Sequence, residues 1–487
     1  MPQRVVRHIV ASAARVGRVT AVLVAGAIAP LPAQSARDGA PAPLRRRAFL
    51  GAQLSPVPDS LRAGLAGLAP QGGALVRRVD PGTAAAAAGL RPGDVIVRAD
   101  SAPVPAVPAL TALLARRHAG APMTLALVRD GRRVAVRLTL GTLPEERAPG
   151  IAFTYTAVLA DGARRRMIVT RPEGAAAERR PAERRPAERR PAVLLVGGIG
   201  CYPVDTPVGE PGAYQRVLYH LTRRGFVTVR VEKSGIGDSE GTACPDADLR
   251  TEVAGYVAAL RAARALPDVD SARVVILGHS IGGIVAPLVA AQVPVRGIVA
   301  MSTVGTSWFE YELDNTRRQV GMAGAAPDSL DAALRVKERC MHASLVEGVA
   351  PVAQVARDAA CAPFLQYPAA HAYVAQLAAL NLGEVWRRAD ADVLAVYPTS
   401  DFLTSAREHE ALVAKANYYR PGRASLTLVE GMDHYFAPAA TPLDSYRSET
   451  SPLARPFFAG ILPVLDAWLD RTVGRPPAAS AASTRAR

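Results

Sequence analysis

The sequence predicts an α/β fold: a mostly parallel sheet with helices on both faces, interrupted by a helical insert and preceded by a small β-rich domain. Three observations predict it. Short apolar, β-branched runs alternate with helical stretches through the second two-thirds of the chain, the pattern of repeated βαβ units. A G-x-S-x-G turn, Gly278-His279-Ser280-Ile281-Gly282, joins one of those runs to a helix. Ahead of them, two alternating strands meet at Asp130-Gly131, a strong hairpin signal.

The N-terminus carries Arg4, Arg7, Arg15 and Arg18, then the apolar run Val19–Leu31, then Leu31-Pro32-Ala33 as a cleavage site. That order predicts a secretory signal over residues 1–33. The run is short and broken by Pro30, so it does not read as a membrane span, and no other segment does. No cysteine stands directly after it, so no lipid anchor is expected, and the chain is expected in the periplasm or beyond. Residues 34–44 are polar and Pro-rich and read as a flexible leader.

A small domain is expected over 46–142. Gly72–Val79 reads as a strand, Pro81–Ala84 as a turn and Ala86–Gly89 as a short helix. Leu90–Val97 contains a tight turn and a strand, and Pro108–Arg117 suits a helix. Leu125–Asp130 and Arg132–Leu140 form the closing hairpin. With Gly89-Leu90-Arg91-Pro92-Gly93-Asp94-Val95-Ile96 at its centre, this stretch resembles a bacterial PDZ domain of the kind fused to periplasmic proteases. The resemblance implies a groove in which a peptide C-terminus docks on a loop and adds a strand. Ala48-Phe49-Leu50-Gly51 occupies the position of that loop, so the backbone N–H groups of Phe49, Leu50 and Gly51 are the expected carboxylate donors.

A Pro/Glu stretch, Thr142–Gly150, leads to a larger domain over 151–473. Tyr155–Leu159 and Arg166–Thr170 form a second hairpin about Asp161-Gly162. Glu178-Arg179-Arg180-Pro181-Ala182 then recurs at 183 and 188. Five residues without an apolar face build no solenoid, so 177–191 is expected to be a solvated loop inside the domain. Strands are expected at 191–196, 226–232, 274–277, 296–302, 392–398 and 425–430. Helices are expected at 214–224, 249–266, 281–292, 405–416 and 455–471. Residues 306–390 are helical without strands, an insert of the kind that forms a lid. The tail 474–487 has a disordered composition.

The chemistry centres on Ser280. A serine hydroxyl needs a base to take its proton and a third group to orient that base. Asp401 follows the 392–398 strand and His434 follows the last strand. His409 lies in a predicted helix and reads as a surface residue. His279 points the wrong way on the turn, and Asp433 follows the wrong strand. Gly197–Gly200, Glu232–Ser239 and Gly278–Gly283 carry a resemblance to bacterial serine hydrolases of the α/β-hydrolase superfamily, near the dienelactone hydrolase and prolyl-oligopeptidase-like esterases. The resemblance runs from Ile151 to the last helix.

It implies a Ser280, Asp401, His434 triad in the chain order of that fold. It also implies an oxyanion hole from the N–H groups of Ile281 and Ile199. Two departures stand out. Gly197 replaces a common histidine, and the D-x-R-G-x-G-x-S loop reads Glu232-Lys233-Ser234 at its start. Trp308, Phe309 and Tyr311 suit either an acyl pocket or the core of the lid.

The formal charge is +15. The excess is scattered and lacks an interleaved aromatic patch, so no nucleic-acid role is expected. Four cysteines are present; an even count in an oxidising compartment fits two disulfides, in three possible pairings. None has zinc spacing, and no cofactor or metal is expected. On the hydrolase resemblance, Cys201 and Cys244 follow neighbouring strands and would pin the oxyanion loop, and Cys340 and Cys361 would pin the lid.

The implied activity is hydrolysis of a carboxylic ester through an acyl-enzyme, on a small ester or a peptide. Two other readings remain open: an exported peptidase with the same triad, and a non-catalytic adaptor that captures peptides.

Overall fold

The computed structural model describes residues 44–65, 72–174, 189–448 and 455–476. The expected signal segment lies outside these residues, as do most of the leader, positions 177–188 of the repeat loop and 477–487 of the tail.

The N-terminal part is an antiparallel sheet of β1 (Ala52–Pro56), β2 (Ala74–Val79), β3 (Val95–Ala99), β4 (Ala102–Pro103), β5 (Pro122–Arg129) and β6 (Arg132–Thr139). Its order is β1-β2-β3-β5-β6, with β4 beside β3. Helices α1 (Asp59–Leu65), α2 (Ala84–Ala87) and α3 (Val107–Ala115) accompany it. Leu110, Leu125, Leu127 and Ile96 are fully buried and form its core. The turn before β3 is tied by Asp94, which is 1% exposed. Its carboxylate accepts Arg91 N at 2.8 Å and both ends of the Arg129 fork at 2.7 Å. Among the described residues β1 pairs only with β2, so one of its edges has no strand partner there.

The larger sheet holds β7 (Ile151–Ala160), β8 (Ala163–Pro172), β9 (Arg190–Val196), β10 (Val227–Val231), β11 (Val269–His279), β12 (Gly297–Met301), β13 (Asp392–Pro398) and β14 (Ala424–Val429). Its order is β14-β13-β12-β11-β9-β10-β8-β7. β9 to β14 run parallel, and the β7–β8 hairpin closes the β10 edge antiparallel. The central strands are apolar on both sides because helices cover both faces. One face packs on α5 (Leu249–Ala265), α6 (Gly282–Ala290) and α12 (Ala406–Tyr419). The other packs on α4 (Ala213–Arg223) and α14 (Ile461–Val473).

Between β12 and β13 come α7 (Trp308–Met322), α8 (Pro327–Met341), α9 (Pro351–Arg357), α10 (His371–Ala378) and α11 (Leu382–Arg388), with no strand among them. A short α13 (Pro442–Arg447) follows β14. Trp308 and Tyr311 are buried in the same core as the sheet, so they serve as core of the insert. Inside the insert, Lys337 pairs with Glu312, both shielded from solvent.

The two sheets are joined by partly buried polar contacts. Arg47 N and its guanidinium reach Asp238 Oδ1, Gly235 O and Ser239 O at 2.7, 3.0 and 3.0 Å. Arg46 Nε lies 2.6 Å from Asp238 Oδ2. In the connecting stretch, Glu146 pairs with Arg230 at 2.6 Å, both 1% exposed, and accepts Thr206 N at 2.7 Å. Glu146→Ala leaves the Arg230 charge without its carboxylate in a dry site, and is expected to lower unfolding free energy by about 3 kcal/mol. Urea-unfolding midpoints check this; an unchanged midpoint contradicts it.

Candidate active site

β11 ends at His279, and the chain turns sharply at Ser280 into α6. Ser280 sits at φ +56°, a left-handed conformation that costs a residue with a Cβ about 1 kcal/mol or more. The turn is held by Ser280 N on Met301 O at 2.9 Å, by Gly283 N on Ser280 O at 2.9 Å and by Thr303 Oγ1 on the same carbonyl at 2.7 Å. Two glycines allow it. A Cβ at Gly282 would lie 2.1 Å from Val196 O, and one at Gly278 2.3 Å from Gly282 O.

Asp401 follows β13 and is 1% exposed. Its carboxylate accepts His434 Nδ1–H at 2.8 Å, Leu403 N at 2.7 Å, Thr404 N at 3.0 Å and Thr404 Oγ1 at 2.6 Å. Burial alone would raise this carboxyl. The His434 contact and the Thr404 donors outweigh burial and hold it well below the usual carboxylate range. With Nδ1–H bound to Asp401, the lone pair of His434 is on Nε2.

Asp433 does not orient His434. It accepts Tyr435 N, Ala437 N, Ser445 Oγ and Arg455 Nη1 at 2.9, 2.8, 2.9 and 2.6 Å, and so shapes the loop that presents the histidine.

His279 links the serine to the histidine. Its Nε2–H donates to His434 O at 2.9 Å, and its ring lies 4.9 Å from the His434 ring. A carbonyl only accepts, so Nδ1 must accept the Tyr214 hydroxyl, 2.7 Å away. Burial, then the neighbouring His434, pushes the His279 imidazole down to about 3, so it stays neutral. No hydrogen bond joins Ser280 Oγ to His434 in this structure; such bonds often tighten only around substrate.

Opposite Ser280 runs the loop after β9. A Cβ at Gly198 would lie 3.3 Å from Ser280 Cβ and 3.7 Å from Oγ. Ile199 N follows directly on this loop, and Ile281 N heads α6, where the helix dipole favours negative charge. Ile281 is thus next to the serine in the chain, and Ile199 is next to the glycine that faces it. Gly197 has a local reason: a side chain there would lie 2.8 Å from Tyr202 Oη, which fills that space. Disulfides join Cys201 to Cys244 and Cys340 to Cys361, and no described cysteine is free. The first ties the loop after β9 to the turn after β10.

Two expectations need correction. His409 is fully buried, not a surface residue. Its Nε2 accepts Thr303 N at 3.1 Å and its Nδ1–H donates to Ser405 O at 2.8 Å, a brace under the strand that follows the turn. Phe49 N–H goes to Gly141 O at 2.9 Å, and Ala48 N–H to Arg117 O at 3.1 Å. The carboxylate cradle expected in the small domain therefore narrows to Leu50 and Gly51. Gly51 sits at φ +84°, where a Cβ would meet Thr83.

Among the described residues, one group has metal-like spacing: Cys340, Asp358 and Cys361. Its sulfurs form a disulfide, so it offers no thiolates. No described helix is long and apolar enough to cross a membrane.

The sequence reading missed Tyr214, Tyr202, Lys233 and Glu252, which hold the loop opposite the serine. Lys233 stands at the unspecified second position of the D-x-R-G-x-G-x-S loop, so the motif gave no signal for it.

Comparison with known proteins agrees with this architecture. The family model described as "Alpha/beta hydrolase family" matches residues 192–447, and that of the PDZ domain matches residues 48–140. The magnetosome formation protease MamE of Paramagnetospirillum magneticum is 41% identical over 86 residues, 18% of this chain and 12% of that protein. The periplasmic serine endoprotease DegP of Escherichia coli is 41% identical over 70 residues, 14% of this chain and 15% of that protein. Esterase EstD of Thermotoga maritima is 25% identical over 151 residues, 30% of this chain and 36% of that protein. The chain thus spans only a minor part of each of these relatives. Among solved structures, Est1E from Butyrivibrio proteoclasticus aligns with a TM-score of 0.36 at 14% identity, covering 57% of this chain and 90% of that one.

Burial likewise pushes the His409 imidazole down, to about 4. The unfolded chain therefore takes up protons that folded His279 and His409 refuse, so stability falls as pH drops from about 6.5 toward about 4. Each neutral histidine contributes about 1.4 kcal/mol per pH unit to that slope. His409→Gln keeps an acceptor for Thr303 N and a donor for Ser405 O. It is expected to reduce the slope of unfolding free energy by about 1.4 kcal/mol per pH unit; an unchanged slope contradicts the neutral state.

Proposed function

The chain belongs to the alpha/beta hydrolase family and carries a PDZ domain, and on that premise we propose that it is an exported serine hydrolase that cleaves carboxylic esters through an acyl-enzyme. The observation that carries this reading is the 2.8 Å bond from His434 Nδ1 to the buried Asp401 carboxylate, on a histidine whose carbonyl is bonded to His279, the residue before a serine at φ +56° on a strand-to-helix turn.

In this mechanism His434 Nε2 takes the Ser280 proton as Oγ attacks the ester carbonyl carbon. Asp401 stays ionised and steadies the imidazolium that forms. The carbonyl oxygen becomes an oxyanion and accepts from Ile199 N and Ile281 N. Collapse breaks the bond to the alcohol, which leaves with the proton from His434. A water then gives its proton to His434 and attacks the acyl-enzyme, and its breakdown returns Ser280 and a carboxylic acid.

The PDZ domain is proposed to bind peptide C-termini along β1. Among the described residues that strand has one edge without a strand partner, as strand addition requires. Leu50 and Gly51 would supply the carboxylate donors. Export is supported by the pairing of all four cysteines, which suits an oxidising compartment.

A panel of short-chain p-nitrophenyl esters tests the chemistry. Wild-type protein is expected to turn them over, with Asp401→Asn slower by about 10⁴-fold and Ser280→Ala at the uncatalysed rate. Ester turnover that survives Ser280→Ala overturns the mechanism, and cleavage of peptides in preference to esters moves the assignment to a peptidase. For the PDZ domain, calorimetry is expected to show that a peptide with a free C-terminal carboxylate binds more tightly than its amidated twin. Equal binding of the two contradicts the carboxylate cradle.

A further inference from the structure

The loop after β9 is built of glycines at 197, 198 and 200. Such backbone has little intrinsic preference for which way a peptide plane faces. An oxyanion donor on it needs something else to hold the N–H toward Ser280.

The structure shows what holds the Gly198–Ile199 peptide. Gly198 O accepts Lys233 Nζ at 2.7 Å and Tyr202 Oη at 2.9 Å. Gly198 N donates to Tyr214 Oη at 3.1 Å, and Tyr214 in turn donates to His279. The Lys233 ammonium is itself fixed, 3.0 Å from Glu252 Oε2 and 5.5 Å above the Tyr202 ring. Its side chain is 6% exposed and that of Glu252 7%. A buried ammonium in so constrained a place is costly unless it is paired and bonded.

We propose that Lys233, anchored by Glu252, is a positioning residue that aims and polarises the oxyanion donor of Ile199. In a trans peptide the C=O and the next N–H point in opposite directions. Holding Gly198 O on Lys233 and Tyr202 therefore turns Ile199 N–H away from them. A cation on the carbonyl also draws electron density from the amide and strengthens its N–H as a donor. If the plane turned over, a carbonyl would face the developing negative charge.

The long Lys233 side chain reaches the oxyanion loop from the turn after β10. Tyr202 occupies the space that a side chain at Gly197 would need and supplies the second bond. This inference rests on the esterase reading, because it presumes an oxyanion at Ile199.

The test compares wild type, Lys233→Met, Tyr202→Phe and the double variant Lys233→Met/Glu252→Gln. The double variant leaves no unpaired buried carboxylate and guards against simple misfolding. Two readouts are taken: kcat and KM for p-nitrophenyl acetate, and the affinity of an alkylboronic acid, which forms a tetrahedral adduct on the serine.

A direct oxyanion donor is worth about 10²- to 10³-fold in kcat, so a residue acting through one is expected to cost about 10- to 100-fold. Boronate affinity should fall in parallel while KM moves by less than about 3-fold. Tyr202→Phe, which keeps the cation, should fall less. Equal boronate affinity in wild type and the folded double variant overturns the proposal. So does a loss confined to KM or to thermal stability. The esterase reading is checked separately: it stands if wild-type turnover is abolished by Ser280→Ala, whatever Lys233 does, and if wild type has no turnover both readings fall.

Discussion

Where β9 ends, its last carbonyl passes so close to the start of α6 that a Cβ on Gly282 would lie 2.1 Å from Val196 O. That approach sets the rest of the site. It brings the loop after β9 against the serine turn, so that a Cβ on Gly198 would lie 3.3 Å from Ser280 Cβ. It also obliges the chain to leave β11 through a left-handed residue, which lifts the Ser280 side chain clear of strand and helix. The strain is opposed by three hydrogen bonds: Ser280 N donates to Met301 O at the end of β12, and Ser280 O accepts Gly283 N and Thr303 Oγ1. The parallel sheet places the Asp401 and His434 loops at the same end, because both follow strands of one direction.

Around this backbone contact the loops are shaped by buried polar bonds more than by secondary structure. Asp433 gathers four donors to form the His434 loop. Glu408, fully buried, accepts Gly305 N, Thr306 N and Thr306 Oγ1 and fixes the entry to the helical insert. Arg166 joins Asp205 and Glu232 under the loop that Arg46 and Arg47 grip from the PDZ side. Lys233 lies on that same loop and reaches Gly198 O. An unbroken set of polar contacts therefore runs from the first residues of the PDZ domain to the backbone opposite the serine.

The strand–helix alternation was readable because the central strands are apolar on both sides and the helices between them, apart from the buried α6, carry an apolar and a polar face. Only the ends moved: β11 begins at Val269, upstream of the four-residue apolar core of Val274–Leu277. The Ser280 turn was readable for a local reason, since its glycines and serine are adjacent in sequence and the close approach demands them. β1 was not read as a strand; its sequence, AQLSP, has no clear alternation and ends in proline. The burial of His409 was hidden because its partners are a backbone amide more than a hundred residues away and a carbonyl one turn back. The Lys233 cluster was hidden for the same reason: residues 198, 202, 214, 233 and 252 meet only once the sheet is assembled. Each alone reads as an ordinary loop or helix position.

Catalysis at this site requires that one hydroxyl be made nucleophilic by its surroundings. Reaction of the native protein with a fluorophosphonate, followed by peptide mapping in a mass spectrometer, asks this directly. A single phosphonyl adduct is expected on Ser280, formed by the folded protein and not after denaturation. Labelling of a different residue, or equal labelling of folded and unfolded chain, would contradict it.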